Sequence, residues 1–410
     1  MLAERPRPVS RIRDSSEIPV GPKVVISLRG VNRLRTGHVW VYRSDIQSAQ
    51  DVAPGSLVSV ADERGRFFGS ALYSSSSQIA LRMLSAGAVF DLHTLLRERI
   101  RAALAYRERI ARDTDACRLI FSEADFLPGL IVDRYNEILA LQILTQAMDS
   151  ESARATLISE LSAGVKPVAI AERVELHIRE LEQLTARASG LLLGEKTSTI
   201  FTMNGVQFHY DIGEGQKTGA FLDQRENYAA AARYGRGDAL DVFCYQGAFA
   251  LHLAKTCGHV TGVDSSRPAL EVADRNGVLN QQDIEWIEAN AFDLLKDYSA
   301  AGRLYDVIVL DPPAFAKTRK NLETALRGYK ELNLRALKML RSGGTLVTCS
   351  CSYHVGEADF LGVVIEAGRD AHKILRLMER RGQAQDHPIL PSVPETSYLK
   401  CLIFDVTDRK

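Results

Sequence analysis

DALDVFCYQGAFALHLAKTCGHVTGVDSSRPALEVADRN, residues 238–276, repeats one pattern twice. ALDVFC predicts a strand and GAFALHLAKT a helix; HVTGVD predicts a second strand and RPALEVADRNGVLN a second helix. Short apolar strands alternating with helices build βαβ units, and these make a mostly parallel sheet covered on both faces. Outward from this stretch the alternation continues. IEWIEA and YDVIVLD read as strands, ETALRGYKELNLRALKML as a helix ended by Gly343-Gly344, and GTLVTCSC as a further strand. In such sheets ligands bind beyond the carboxyl ends of the strands, near the point where strand order reverses. The polar residues that end strands are therefore the candidates for chemistry.

The first strand runs into the turn Asp241-Val242-Phe243-Cys244-Tyr245-Gln246-Gly247. A small residue there lets a ligand approach the backbone and the helix N-terminus, although a plain strand–helix turn reads the same way. The turn does not match G-x-G-x-x-G, because only Gly247 is glycine. The second strand ends at Asp264, 23 residues after Asp241. An acid at this place accepts both ribose hydroxyls of an adenosine-containing cofactor. The competing role is an N-cap for the helix with Pro268 in its first turn. Neither role separates NAD from S-adenosylmethionine.

YDVIVLD ends in Asp311-Pro312-Pro313-Ala314-Phe315. Two prolines fix an extended chain and remove two N–H donors, which leaves carbonyls free and holds Asp311 at the sheet edge. A rigid carbonyl and an aromatic ring suit the grip of a planar base, and dehydrogenases have no need of either. GTLVTCSCSYH brings Cys349 and Cys351, two residues apart on a strand and hence on one face. Two buried thiols are one reading. A metal pair is another, but His354 alone supplies too few further ligands for zinc, and no metal is expected. The third reading is a nucleophile. Cytosine C5 takes a methyl group only after a thiolate has added to C6, which turns the ring into an enamine. That chemistry needs a cysteine at a strand end and an acid near N3, and Cys351 with Asp311 is the first choice of pair.

The 410 residues suggest two or three domains at roughly 150 residues each. Lys+Arg and Asp+Glu are both 51, and 46% hydrophobic with 25% charged residues is ordinary for globular chains. Apolar runs are too short for a membrane span, and MLAERPRPVSRIRDSS has no apolar core of a secretory signal. Six cysteines are too sparse for a disulfide scaffold and read as reduced thiols of a cytoplasmic protein. Charge is uneven. Residues 1–50 hold nine basic side chains (Arg5, Arg7, Arg11, Arg13, Lys23, Arg29, Arg33, Arg35, Arg43) against four acidic ones. Residues 1–21 read as a flexible basic tail. Beyond Lys23 the basic residues interleave with apolar ones, which suits a folded basic surface.

VVISL, HVWVY, LVSVAD, FFGSALY and QIALRML, with turns at Pro54-Gly55 and Glu63-Arg64-Gly65, predict a small β-barrel over 22–90. DLHTLLRERIRAALAYRERIAR then shifts to helical period. LPGLIVDRYNEILALQIL predicts a hairpin turning at Asn136, followed by a helix over 150–163 and the strand VAIAER. This makes a second unit over 91–200, and 201–410 holds the parallel sheet.

Several of these stretches together resemble one family. GHVWVYRSDI (37–46), LPGLIVDRY (127–135), GQKTGAFLDQREN (215–227), DVFCYQGAFA (241–250), VDSSRPALEVADRN (263–276), DVIVLDPPAF (306–315), RGYKELN (327–333), SCS (350–352) and DHPILPSVPETSYLK (386–400) carry the resemblance. The chain resembles the bacterial PUA-containing class I S-adenosylmethionine-dependent ribosomal RNA methyltransferases, in particular the 5-methylcytosine-forming group that acts on 23S rRNA. The resemblance implies a PUA RNA-binding barrel, an α+β linking domain and a Rossmann-like methyltransferase domain. It implies S-adenosylmethionine contacts from Lys217, Phe221, Gln224, Asp241, Phe243, Tyr245, Gly247, Asp264, Asn290, Ala291 and Asp311. It selects Cys351 over Cys349, puts the base against Pro312, Pro313 and Phe315, and makes Arg29, Arg33, Arg35 and Arg43 candidates for RNA phosphates. Asn290 stands where the family carries an acid for the adenine amino group, and its amide oxygen can accept the same hydrogen bond. Guanine N7 methylation by the same fold, and a non-catalytic RNA-binding assembly factor, are the alternative functions. Apolar strands in the barrel allow a homodimer.

Overall fold

The structure, a computed structural model, describes residues 21–213, 218–316 and 318–409. The basic tail expected over 1–21 lies almost wholly outside the described residues, as does Lys217. The alternating C-terminal pattern forms one seven-stranded sheet. Its spatial order is Glu285–Glu288, His259–Asp264, Asp238–Val242, Tyr305–Leu310, Leu340–Ser350, Lys400–Asp408, Lys373–Arg381. The first five strands are parallel, and Lys400–Asp408 runs antiparallel to both its neighbours. Chain order reverses between Asp238–Val242 and Tyr305–Leu310, so the crevice beyond their carboxyl ends is the switch point. Alternate residues of the middle strands feed two different cores. Ala239, Val307, Val309 and Val347 join one cluster, whereas Leu240, Val242, Ile308, Leu310 and Leu346 join the other. The sheet is thus covered on both faces, as continuous apolar strands require.

Gly343-Gly344 does not end the helix. Leu322–Lys338 is capped by Met339, and the next strand begins at once with the buried Leu340. Pairing slips between Tyr305↔Leu340 and Val307↔Thr345, a bulge that holds Gly343 at φ 82°.

The N-terminal unit is a six-stranded sheet in the order Trp40–Tyr42, Ile79–Ser85, Phe67–Tyr73, Leu57–Asp62, Lys23–Ile26, Ile46–Ser48. Val24, Val41, Val58, Val60, Ala71 and Leu81 from five of these strands meet in one cluster, so the sheet wraps its own core. The interleaved basic stretch contains the helix Leu28–Arg35, capped by Ser27, whose buried Val31 joins that cluster. The middle unit has five strands, with helices Leu92–Ile110 and Glu151–Val165 packed on it. Asn136 turns the predicted hairpin at φ 52°. The expected boundary after residue 200 falls inside the strand Ser198–Met203, which pairs with Val206–Asp211. Phe201, Phe208 and Tyr210 of this hairpin join Tyr135 and Ile138 of the middle sheet and Phe249 and Leu251 of the last unit in one cluster. The middle and C-terminal units therefore share a core.

The N-terminal unit is tied on by apolar and polar contacts: its Leu72 and Leu84 join the core of the middle unit. Trp40 Nε1 donates to Glu123 Oε1 at 3.0 Å, Arg82 pairs with the same oxygen at 2.6 Å, and His38 Nε2 meets Glu395 Oε2 at 3.2 Å. Among the described residues no helix is long and apolar enough to cross a membrane.

Candidate active site

The turn after the first parallel strand is built by backbone geometry that few residue types tolerate. Phe243, Tyr245 and Gly247 all have positive φ, at 68°, 50° and 83°. The Phe243 and Cys244 amides donate to the Val263 carbonyl at 2.8 and 3.0 Å, which pins the turn to the neighbouring strand. A Cβ on Gly247 would come within 2.5 Å of the Trp286 ring, so the turn also depends on this residue being small. Asp241 is fully buried, and its Oδ2 accepts from the Ala250 amide at 2.9 Å. Among the described residues its Oδ1 has no hydrogen-bond partner. Burial pushes this carboxyl well above the usual range, Asp311 and Asp264 add to the shift, and the Ala250 N–H opposes it.

Asp264 does not cap the next helix; Ser266 does. The two Asp264 oxygens instead take one backbone N–H each, from Tyr245 and from Ser266, both at 2.9 Å. The carboxylate is thereby fixed across the turn, with a lone pair left on each oxygen for a diol. Asn290 departs from the expectation. It is the N-cap of Ala291–Ala300, and its Oδ1 accepts from Phe292 N at 2.9 Å and Asp293 N at 3.4 Å. The oxygen expected to face an adenine amino group is engaged by the helix, so the side chain offers its Nδ2 instead. Ala291, the buried first residue of that helix, lies beside it.

Phe221 precedes the one-turn helix Leu222–Gln224, and its ring meets Tyr245 edge-on at 5.1 Å. Gln224 is 2% exposed; its Oε1 accepts from Asn227 at 2.6 Å, and its Nε2 is buried with no hydrogen-bond partner among the described residues. Gln224 lies beside Asp311 and Cys349. Burial pushes the Asp311 carboxyl up to about 7, the Asp223 carboxylate adds to the shift, and Gln224 opposes it. Pro312 is buried while Pro313 is exposed, so the proline pair lies at the lip of the crevice.

The two thiols part company. Leu340–Ser350 ends before Cys351, so the strand's alternation stops there. Cys349 is fully buried opposite Cys401 in the antiparallel pair. Cys351 lies beyond the carboxyl end of the strand, half-buried, its Sγ 3.9 Å from the Pro312 carbonyl oxygen. The serines on either side of it are fully buried and position it. Ser350 Oγ donates to Tyr329 Oη at 2.9 Å, Tyr329 Oη meets Ser352 Oγ at 3.0 Å, and Ser352 Oγ accepts from Ala316 N at 3.2 Å. The Phe315 ring lies 4.8 Å from that of Tyr329. One phenol thus locks the proline loop to the cysteine segment. Sequence reading left Tyr329, Ser350 and Ser352 without a role, although RGYKELN and SCS contained them.

The basic candidates divide. Arg43 donates to the Ser77 and Ser74 carbonyls at 2.9 and 2.6 Å, and Arg29 pairs with the buried Asp45. Both serve the N-terminal fold, because buried oxygens there need donors. Arg33 and Arg35 end the helix Leu28–Arg35, with Arg33 4.3 Å over the Tyr42 ring. Tyr42 and Glu395 lie close enough to push up the Tyr353 phenol, after burial the main contributions to that shift. Tyr353 is two residues after Cys351.

Comparison with known proteins agrees with this geometry. Residues 24–86 match the family of PUA-like domains, and residues 138–405 match that of S-adenosylmethionine-dependent methyltransferases. Ribosomal RNA large subunit methyltransferase I of Pseudoalteromonas translucida is 38% identical over 384 residues, 91% of this chain and 96% of that protein. The protein of the same name from Photobacterium profundum is 36% identical over 383 residues, 90% and 95% of the two chains. The chain belongs to the ribosomal RNA large subunit methyltransferase I family. A crystal structure of SMU.776 complexed with SAH shares the fold, at TM-score 0.80 and 18% identity, over 94% of this chain and all of that one. The fold is thus a PUA-like unit followed by a Rossmann-like methyltransferase, and the cofactor is S-adenosylmethionine.

The residues present fit that cofactor. Asp264 presents two fixed acceptors for a ribose, and the unpartnered Asp241 Oδ1 suits an ammonium donor.

Proposed function

We propose that this chain methylates C5 of a cytosine in 23S ribosomal RNA through a cysteine adduct at C6. The observation that carries the reading is the pairing of Cys351, outside the packed sheet and against the proline loop, with an Asp311 carboxyl held near neutrality. S-adenosylmethionine supplies an electrophilic methyl group. The chain's own residues then have defined tasks. Arg33, Arg35 and the PUA-like surface hold phosphates, and the base is extruded into the crevice between Pro312, Pro313 and Phe315. The Cys351 thiolate adds to C6 while Asp311 gives its proton to N3. After C5 has taken the methyl group, Asp311 recovers the N3 proton, C5 loses its proton to solvent, and the C6–S bond breaks to return the thiolate. Lys217, Phe221, Gln224, Asp241, Phe243, Tyr245, Gly247, Asp264, Asn290 and Ala291 hold the cofactor. A ribosomal RNA substrate supports the cytoplasm as the place of action.

Methyl transfer onto 23S rRNA from a strain lacking the enzyme, followed by nucleoside mass spectrometry, tests this. 5-Methylcytidine is expected; 7-methylguanosine would transfer the site to a base nucleophilic without a thiol, and no methylation with an intact fold would make the chain an RNA-binding factor.

The pH dependence follows from Asp311. The donor is the protonated acid, and it is lost as pH rises through about 7. The single-turnover rate at saturating cofactor is therefore expected to fall on the alkaline side, with a bell shape because the thiolate grows in the opposite sense. Asp311→Asn, which cannot titrate, is expected to be slow and to lose that alkaline limb. An unchanged limb in the variant would remove Asp311 from the proton transfer.

A further inference from the structure

Lys400 is the first residue of the strand Lys400–Asp408 and pairs with Ser350, the last residue of the strand before Cys351. Its Nζ donates to the Ser352 carbonyl at 2.7 Å and the Tyr398 carbonyl at 2.9 Å. The ammonium is therefore fixed at the backbone that follows Cys351. Both oxygens are neutral, and among the described residues no carboxylate forms an ion pair with it, so its charge is left to act on the surroundings. We propose that Lys400 is a positioning residue for the reaction, a fixed cation that holds Cys351 as the thiolate. The proposal rests on the cysteine-adduct reading above.

Two other described groups near the sulfur do not supply this. Tyr329 faces Cys351, but burial pushes its phenol up and keeps it neutral, and the Pro312 carbonyl carries only a dipole. Glu357 acts on Lys400 from the following helix, Glu357–Asp370, and favours its charged form, as Cys351 does. Burial works against both and draws the ammonium down to about 8. The cation and the thiolate thus stabilise each other, and S–H deprotonation to solvent leaves an ion pair rather than an isolated anion. An opposite charge within about 4–6 Å lowers a thiol from its ordinary value near ~8.5 by about one unit or more, and one unit means roughly tenfold more thiolate at neutral pH.

The pH profile of iodoacetamide alkylation, read at the Cys351 peptide by mass spectrometry on the full chain, tests this. Lys400→Gln keeps a donor for the two carbonyls and removes the charge; its midpoint is expected to rise by about one pH unit, with roughly tenfold slower labelling at neutral pH. Lys400→Arg keeps the charge and is expected to restore the wild-type midpoint. A Lys400→Gln profile identical to wild type overturns the proposal. Should that variant not fold, the wild-type profile decides: a Cys351 midpoint clearly below the free-thiol value of ~8.5 supports the proposal, and one at or above it overturns it. Methyl transfer by Cys351→Ala separates the two readings. If that variant is inactive while Lys400→Gln leaves the profile unmoved, only the role of Lys400 fails; if it is active, the adduct itself fails.

Discussion

Cys351→Ala is expected to lose methyl transfer by on the order of a thousandfold or more, because removal of a covalent nucleophile leaves only binding and electrostatic contributions to the rate. S-Adenosylmethionine affinity should hardly change. The groups assigned to the cofactor are fixed by backbone contacts elsewhere, the Asp264 oxygens by Tyr245 and Ser266 N–H and the Asp241 carboxyl by Ala250 N–H. Labelled methyl transfer in a single turnover and calorimetric titration of the cofactor separate the two effects. RNA carrying 5-fluorocytosine gives a third readout. The fluorine cannot leave as a proton does, so the wild-type chain is expected to remain covalently bound, and Cys351→Ala to come away free. Cys349→Ala is the control. That thiol is packed in the sheet opposite Cys401, and its loss leaves a small cavity in the core rather than a vacancy in the crevice. Full activity in Cys351→Ala, or loss only in Cys349→Ala, would refute the adduct at Cys351.

The contrast between the two cysteines shows where sequence reading ran out. Two-residue spacing puts both on one face only if the strand continues, and the strand stops at Ser350. Periodicity marks an element and not the residue where it ends, so the alternation could not separate the two thiols, and the choice of Cys351 rested on the resemblance. The same limit explains Gly343-Gly344. A glycine pair after a helical run reads as a stop, but buried Leu340 had already begun the strand, and Gly343 serves a bulge within it. The βαβ core was legible because its strands are apolar throughout and its helices are amphipathic. The last two strands were not. Lys373–Arg381, KILRLMERR, is an edge strand with one outward face, and its charged residues conceal the period. Polar side chains that act through shape rather than titration were also missed. Nothing in RGYKELN says that the phenol of Tyr329 will bridge two serines 21 and 23 residues away. Arg29 and Arg43 mark a further limit. Basic composition identified a basic region, yet the oxygens that occupy these two guanidiniums come from folding partners no local pattern discloses.

DHPILPSVPETSYLK and GQKTGAFLDQREN are markers of the family, and one contact joins them. Asp386, from the first, is fully buried; its Oδ2 accepts from Arg225 Nη1, in the second, at 2.7 Å and from the Arg118 amide at 2.8 Å. Its backbone carbonyl accepts from Arg107 at 2.9 Å, and Arg107 in turn holds Asp125. The middle unit's helix and strand and the helix Arg225–Ala232 thus converge on one residue, the strand and the latter helix on its carboxylate and the former helix on its backbone carbonyl. Burial alone would raise that carboxyl, but His387 and Arg225 hold it well below the usual range. Arg225 is 2% exposed, so Asp386→Ala leaves a buried guanidinium with only the more distant Glu226, at 3.8 Å, as counter-ion. Breaking a buried pair from one side costs about 3–5 kcal/mol, a large part of a domain's stability. Urea unfolding of Asp386→Ala is expected to show that loss, and the double variant Asp386→Ala/Arg225→Met should recover a substantial part of it, since the unpaired charge is gone. The sign of the pH effect is fixed by the depressed value. The contribution is present above the unfolded carboxyl's value of roughly 4 and is lost as pH falls through the native one, so the gap between wild type and Asp386→Ala should narrow below about pH 4. A gap under about 1 kcal/mol at neutral pH, the ordinary worth of an exposed pair, would mean that the network does not bind the two units together and that the shared apolar core does so alone.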